Sequence, residues 1–174
     1  HSTQMNARSA EHVALERSLR QALERNEFIA HYQPQVEISS GRVIGAEALL
    51  RWNRPGAGMM APDKFIPLAE ETGLIVPIGR IVLQQACTEA RRRQDAGSPG
   101  FRIAVNLSPR QFTQSELVAD VQRILKDTGL APESLELEIT ESMVMDNPER
   151  AAGILRELRV AGVQLAIDDF GTGY

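Results

Sequence analysis

The sequence predicts an α/β fold built on a parallel sheet or barrel. Three observations support this. Apolar strand-like runs alternate with helix-like stretches from about residue 101 onward. The repeat is about 30 residues, the length of one strand–helix unit. Each run also carries an oxygen-bearing side chain near its C-terminal end, where barrel active sites are built.

The elements follow in order. Val13, Leu15, Leu19, Ala22 and Leu23 recur at helical spacing, which predicts an amphipathic helix over Ala10 to Asn26. "FIAHYQPQVEI" and "VIGAEALLRW" read as strands separated by "SSGR", so a hairpin is expected. "RPGAGMMAP" reads as a loop, with Met59 and Met60 as loop or core filler. Pro62 opens a helix that Gly73 closes, and a longer helix runs from about Pro77 to Ala96. "FRIAVNLS", "LELEIT" and "VQLAIDD" read as strands, with helices over about Ser115–Thr128 and Pro148–Ala161 between and after the first two.

Composition narrows the function classes. The net charge of -4 and a pI near 5.5 argue against a nucleic-acid polymer held by bulk electrostatics. Cys87 is the only cysteine, so no intrachain disulfide is possible, which fits a reducing, cytoplasmic compartment. No run approaches the length of a membrane span, so no membrane contact is expected of this segment. Residues 1–11 are expected to be tag or connector and 12–174 the domain proper.

The strand ends carry the chemistry. Glu47 lies in "GAEALLRW", Asn106 in "FRIAVNLS", Glu138 in "LELEIT", and Asp168 with Asp169 in "VQLAIDD". Asn106 to Glu138 is 32 residues and Glu138 to Asp168 is 30, which predicts matching heights on successive strands. Hard oxygen donors that converge repel one another unless a cation sits among them, and Mg²⁺ or Mn²⁺ suits them better than zinc. Asp169 could help hold a second ion, a common device in phosphoester hydrolysis. Arg51 shares the alternation phase of Glu47 and either clamps a phosphate or neutralises the acids. Glu136 shares the phase of Glu138 but lies deeper, without an assigned role. Glu141 could orient a neighbouring loop. Trp52 is either a base-stacking surface or a buried anchor, and Gln33 either reads a purine edge or caps a turn. His31 reads as an ordinary strand residue.

At these residues the chain resembles the EAL domain family of cyclic di-GMP phosphodiesterases. The signature is "EALLRW", supported by "YQPQV", "VNLSPRQF", "LELEITES" and "IDDFGTGY" in family order. The resemblance covers about Leu15 to Tyr174. It implies a modified TIM (β/α)8 barrel with an antiparallel first strand, of which about the first five strands are present. It implies that Glu47, Asn106, Glu138, Asp168 and Asp169 bind metal, that Gln33, Leu50 and Arg51 contact substrate, and that Glu141 anchors the loop beginning at Asp168. The implied reaction opens cyclic di-GMP to linear pGpG, with two ions of Mg²⁺ or Mn²⁺ as cofactor. The implied partners are a second copy, in a homodimer through this domain, and an upstream GGDEF or sensory domain in a bacterial signalling protein that could itself be membrane-anchored. "MNARSAEHVALERSLRQALERNEF" is similar to the connector that joins such domains.

The family's later lysine, glutamate and glutamine do not occur in these 174 residues. The segment alone is therefore expected to leave its barrel open, to associate through uncovered edges, and to turn over little substrate. Two alternatives compete with the phosphodiesterase: a non-catalytic cyclic di-GMP receptor, and a different barrel enzyme with paired carboxylates, such as a glycosidase. Asn106 among the acids and Arg51 beside them count against the latter.

Overall fold

A computed structural model of the protein describes the backbone of residues 2–168 and the side chains of residues 10–168. The chain begins with a long helix, α1 (Ser2–Glu24), followed by the hairpin β1 (Phe28–Val36) and β2 (Val43–Arg54) and a short strand, β3 (Gly58–Met60). Helices α2 (Ile66–Thr72) and α3 (Ile75–Asp95) lead to β4 (Arg102–Asn106). Then come α4 (Pro109–Phe112), α5 (Leu117–Thr128), β5 (Leu135–Thr140), α6 (Glu141–Met145), α7 (Pro148–Val160) and β6 (Gln164–Asp168).

The sheet order is β1-β2-β4-β5-β6. β1 runs antiparallel to β2, and the steps β2–β4, β4–β5 and β5–β6 are all parallel. This is the antiparallel first strand of the expected barrel, with the described residues forming part of one. β3 was not expected: it pairs Met60, Met59 and Gly58 with Trp52, Asn53 and Arg54, so part of the expected loop folds back on the end of β2.

Alternation along the strands separates two faces. Ala46, Ala48, Ile103, Val105, Leu135, Leu137 and Ile139 are buried against α3, α5 and α7. Their neighbours in sequence point to the opposite face, which carries the acids. Parallel strands need both faces covered, and the helices between them cover the aliphatic face. α5 is strongly amphipathic, burying Leu117, Val121, Ile124 and Leu125, and Gly129 ends it in the left-handed conformation at φ 68°. Gln85 of α3 takes part in the sheet itself. Its side chain accepts from Ala30 N–H at 2.8 Å and donates to Phe28 C=O at 3.1 Å, which satisfies backbone groups of the outer strand β1.

A second core sits under α1. Leu19, Ala22, Phe28, Trp52, Phe65, Leu68, Ile75 and Ile78 are buried together. The rings of Phe28, Trp52 and Phe65 lie 5.5–5.9 Å apart, and the Trp52–Phe65 pair is edge-to-face. Trp52 is therefore a buried anchor, 1% exposed, and its indole N–H donates to Glu27 Oε2 at 2.9 Å. Glu27 is placed by the end of α1. Asn26 adopts φ 54°, Glu27 N–H reaches back to Ala22 C=O at 3.0 Å, and Asn26 N–H reaches Leu23 C=O at 3.4 Å. That 6→1 and 5→2 pairing is the Schellman ending of a helix, with asparagine in the left-handed position.

The helix expected from Pro62 to Gly73 is divided. Pro62–Lys64 form a 3-10 turn and α2 starts afresh at Ile66. The cause is Pro67, which has no N–H to donate and would clash with the carbonyl four residues earlier in a continuous helix. α1 begins earlier than expected, at Ser2, and so runs across the expected boundary at residue 11.

Glu27→Ala leaves the Trp52 indole N–H buried without a partner and should lower unfolding stability by ~1–3 kcal/mol. Trp52 is the sole tryptophan, so urea unfolding followed by its fluorescence reads the loss directly.

Candidate active site

The acids come from the sheet face opposite the helices, at the C-terminal ends of the parallel strands. Register places Glu47 beside Ala104, Ala104 beside Glu136, Asn106 beside Glu138, and Thr140 beside Asp168. The four expected ligands are thus not at matching positions in the ladder. Asn106 and Glu138 are level, Glu47 lies one side-chain step earlier, and Asp168 one step later. The even 30-residue spacing concealed this stagger, because loop and helix lengths absorb differences in register. In a barrel, strands tilt against the axis, so groups at one height around the mouth climb along the ladder from strand to strand. The stagger follows that diagonal.

The side chains do meet. Asn106 Nδ2 donates to Glu47 Oε1 at 2.7 Å. Glu138 is half-buried, and its carboxyl is pushed up to about 7. Burial is the main cause, followed by the charges of Glu47, Glu136 and Asp168 and a hydrogen bond with Glu47. Glu136, unassigned from sequence, therefore belongs to the acidic face. It lies opposite Ala104 and Gln164, one step below Glu138.

The expected substrate contacts fall around this cluster. Gln33 pairs directly with Glu47 across the hairpin and is exposed on the same face. Arg51 lies two side-chain steps beyond Glu47 along β2, half-buried, with its guanidinium donating to Leu50 C=O at 2.8 Å. Leu50 points to the other face and packs against both cores. A cavity of about 340 Å³ adjoins the site, lined by Leu50, Arg51, Asn106, Glu70 and Gln111 among others. Burial raises the Glu70 carboxyl above its usual range. His31 is an exposed strand residue opposite Leu49. Met59 is exposed and Met60 packs against the second core.

Glu141 opens α6, with Thr140 as its N-cap. Asp169 and the loop that Glu141 was expected to anchor lie outside the described residues. Sequence reasoning missed α4, although its signal was present. "SPRQ" places serine at the N-cap, proline at the first position and glutamine at the third, and all three capping features form.

The donor chemistry suits a hard divalent cation: carboxylates and one amide oxygen, no sulfur and no imidazole. Among the described residues, no group of three or more His, Cys, Asp or Glu side chains is arranged to hold a metal ion. The converging set pairs its carboxylates with an amide. No helix among the described residues is long and apolar enough to cross a membrane.

Comparison with known proteins agrees with the architecture. The sequence profile of the EAL domain matches residues 16–174. The bifunctional diguanylate cyclase/cyclic di-GMP phosphodiesterase MucR of Pseudomonas aeruginosa is 48% identical over 170 residues, 98% of this chain and 25% of that protein. The cyclic di-GMP phosphodiesterase NbdA of the same organism is 41% identical over 99% of this chain and 22% of its own length. The chain thus spans about a quarter of these relatives. Among solved structures, the MucR phosphodiesterase in complex with c-di-GMP superposes with a TM-score of 0.88 at 48% identity, covering 92% of this chain and 65% of that one. The Xanthomonas citri FimX EAL domain in complex with c-di-GMP superposes with a TM-score of 0.85 at 27% identity, covering 97% of this chain and 65% of that one.

The raised Glu138 carboxyl has a consequence for stability. Between its usual 4.5 and about 7 the folded protein binds more protons than the unfolded chain, so stability falls as pH rises through that window. Glu138→Gln removes this loss. Melting temperatures of the metal-free proteins should favour the variant more at pH 8 than at pH 5, and an equal difference at both would refute the clustered-acid geometry.

Proposed function

Because the chain belongs to the EAL domain family, we propose that it is part of a metal-dependent phosphodiesterase that hydrolyses cyclic di-GMP to linear pGpG. The observation that carries this reading is the convergence of Glu47, Asn106, Glu138 and Asp168 on one sheet face, where Asn106 bonds Glu47 and burial, together with the neighbouring carboxylates, pushes the Glu138 carboxyl up to about 7. Such a cluster is destabilised by its own charge and gains from a cation, and phosphodiester hydrolysis needs positive charge where the phosphate sits.

In this reading Glu47, Asn106, Glu138 and Asp168 hold Mg²⁺ or Mn²⁺, and Asp169 helps with a second ion. A bound divalent ion supplies Lewis acidity and neutralises charge at the phosphodiester. The Asn106 amide, which turns its N–H to Glu47 in this structure, would present its oxygen to a cation instead. Arg51 takes a phosphate oxygen with its planar guanidinium. Gln33, exposed opposite Glu47, binds the rest of the nucleotide, and Leu50, whose side chain faces the helices, serves through its carbonyl, which accepts from the Arg51 guanidinium. Water enters and one phosphodiester P–O bond breaks, leaving a terminal phosphate on a linear dinucleotide. The reading extends to a homodimer through this domain and to an upstream GGDEF or sensory domain in the whole protein.

A second reading is binding of cyclic di-GMP without turnover. It draws on the likeness to solved relatives in complex with c-di-GMP. One experiment separates the two. Full-length protein is incubated with cyclic di-GMP and Mn²⁺ or Mg²⁺, with and without EDTA, and products are resolved by chromatography. Hydrolysis to pGpG that EDTA abolishes supports the enzyme. Nucleotide binding without product in either metal supports the receptor. If the enzyme reading holds, Glu47→Ala and Asp168→Ala should each reduce turnover by more than the ~10–100-fold typical of residues that merely orient a ligand, while the melting temperature stays near that of the parent.

A further inference from the structure

We infer that Gln111 is a positioning residue for Asn106, seated there by the bare Cα of Gly79. Gly79 lies inside α3, where glycine is about 1 kcal/mol less favourable than alanine. A Cβ at that position would overlap Gln111 Nε2 and Cδ, so no side chain fits at residue 79 while Gln111 keeps its place. The glycine admits the Gln111 amide against the helix backbone.

That amide holds the segment that follows Asn106. Gln111 Oε1 accepts from Ser108 N–H at 3.1 Å, and Gln111 N–H donates to Ser108 Oγ at 3.1 Å. One residue nearer the site, Leu107 N–H donates to Glu138 C=O at 2.9 Å. Phe112, 3% exposed, fixes the far side of the short helix in the main core. The backbone leaving Asn106 is therefore bonded at Leu107 to β5 and at Ser108 to Gln111, whose amide packs against α3 at Gly79. On the other side Asn106 reaches Glu47 at 2.7 Å. A rigid anchor behind Asn106 decides which way its amide faces, and therefore how it meets the acids.

A local capping box would stabilise four residues of helix wherever α4 sat. The seat on Gly79 joins the box to a helix that also packs on β2 and β4. Only the effect on Mn²⁺ binding rests on the metal reading above; the positioning of Asn106 does not.

The test uses the full-length protein. Gln111→Leu keeps the volume and loses the acceptor, Gln111→Glu keeps the acceptor, and Gly79→Ala intrudes on the seat. The primary readout is the Asn106 side-chain amide resonance in metal-free protein, assigned with Asn106→Ala. The second readout is Mn²⁺ affinity by titration. Gln111→Leu and Gly79→Ala should shift the resonance and weaken Mn²⁺ binding by ~10-fold, while Gln111→Glu should restore both toward the parent values. If Gln111→Leu does not fold, Gly79→Ala, which displaces the same amide from its seat, decides the question through the same resonance. An unchanged Asn106 resonance alongside a lowered melting temperature would overturn the inference and leave Gln111 as a helix cap. A parent protein that binds no Mn²⁺ would sink the metal reading, and the amide resonance would still decide this one.

Discussion

Glu47, Glu136, Glu138 and Asp168 repel one another across a single sheet face, and the layers behind that face hold them together against the repulsion. The unequal result is visible in Glu138, which keeps its proton up to about 7 because burial and three neighbouring carboxylates all oppose its charge. A flexible surface would relieve this by turning the side chains away. Here the side chains project from adjacent, hydrogen-bonded strands; buried aliphatic residues clamp β2, β4 and β5 from behind, while β6, with Leu165 half-buried and Ile167 exposed, is held by its ladder to β5.

The two cores divide that work. The larger one, under α3, α5 and α7, fixes the parallel strands β4 and β5 and so sets Asn106 and Glu138, and β6 brings in Asp168 by pairing with β5. The smaller one, under α1, is built on Trp52 and the aromatic rings around it. It secures the end of β2 immediately after Arg51. Glu27 joins the end of α1 to the hairpin twice, through its carboxylate to the Trp52 indole and through its carbonyl, which accepts from Asn53 N–H at 2.9 Å. An ion-paired surface adds to the frame without deciding it. Asp120 of α5, its side chain largely buried, is bonded to Arg80 of α3 and to Arg123 on its own helix, which links the two helices.

Glycine and proline set the finer placement. Pro67 breaks what would otherwise be one helix and redirects the chain between the turn at Pro62 and α2. Gly79 opens α3 to an amide from the segment after β4, and Gly73, at φ 81°, ends α2 beside the Arg110 guanidinium. Arg110 in turn donates to Glu71 C=O at 3.2 Å, so α2, α3 and α4 are tied together at the strand ends where the acids emerge.

Most of the architecture was legible in the sequence because it rests on local rules. Alternation and apolar runs reveal strands, helical spacing reveals α1, α5 and α7, and "SSGR" between two strand-like runs reveals a hairpin. The identities of Glu47, Asn106, Glu138, Asp168 and Arg51 were legible for the same reason, as oxygen donors and a guanidinium at strand ends. β3 was not, because three residues of "GMM" have no period and become a strand only by pairing with the end of β2. The role of Trp52 was not either, since a tryptophan reads the same in sequence whether it stacks on a ligand or is enclosed by Phe28 and Phe65. Sequence alone determined which chemical groups the strands deliver and in what order. Tertiary structure alone decided that Glu47, Asn106, Glu138 and Asp168 meet on a diagonal across the ladder, because register and strand tilt arise from packing between elements distant in the chain.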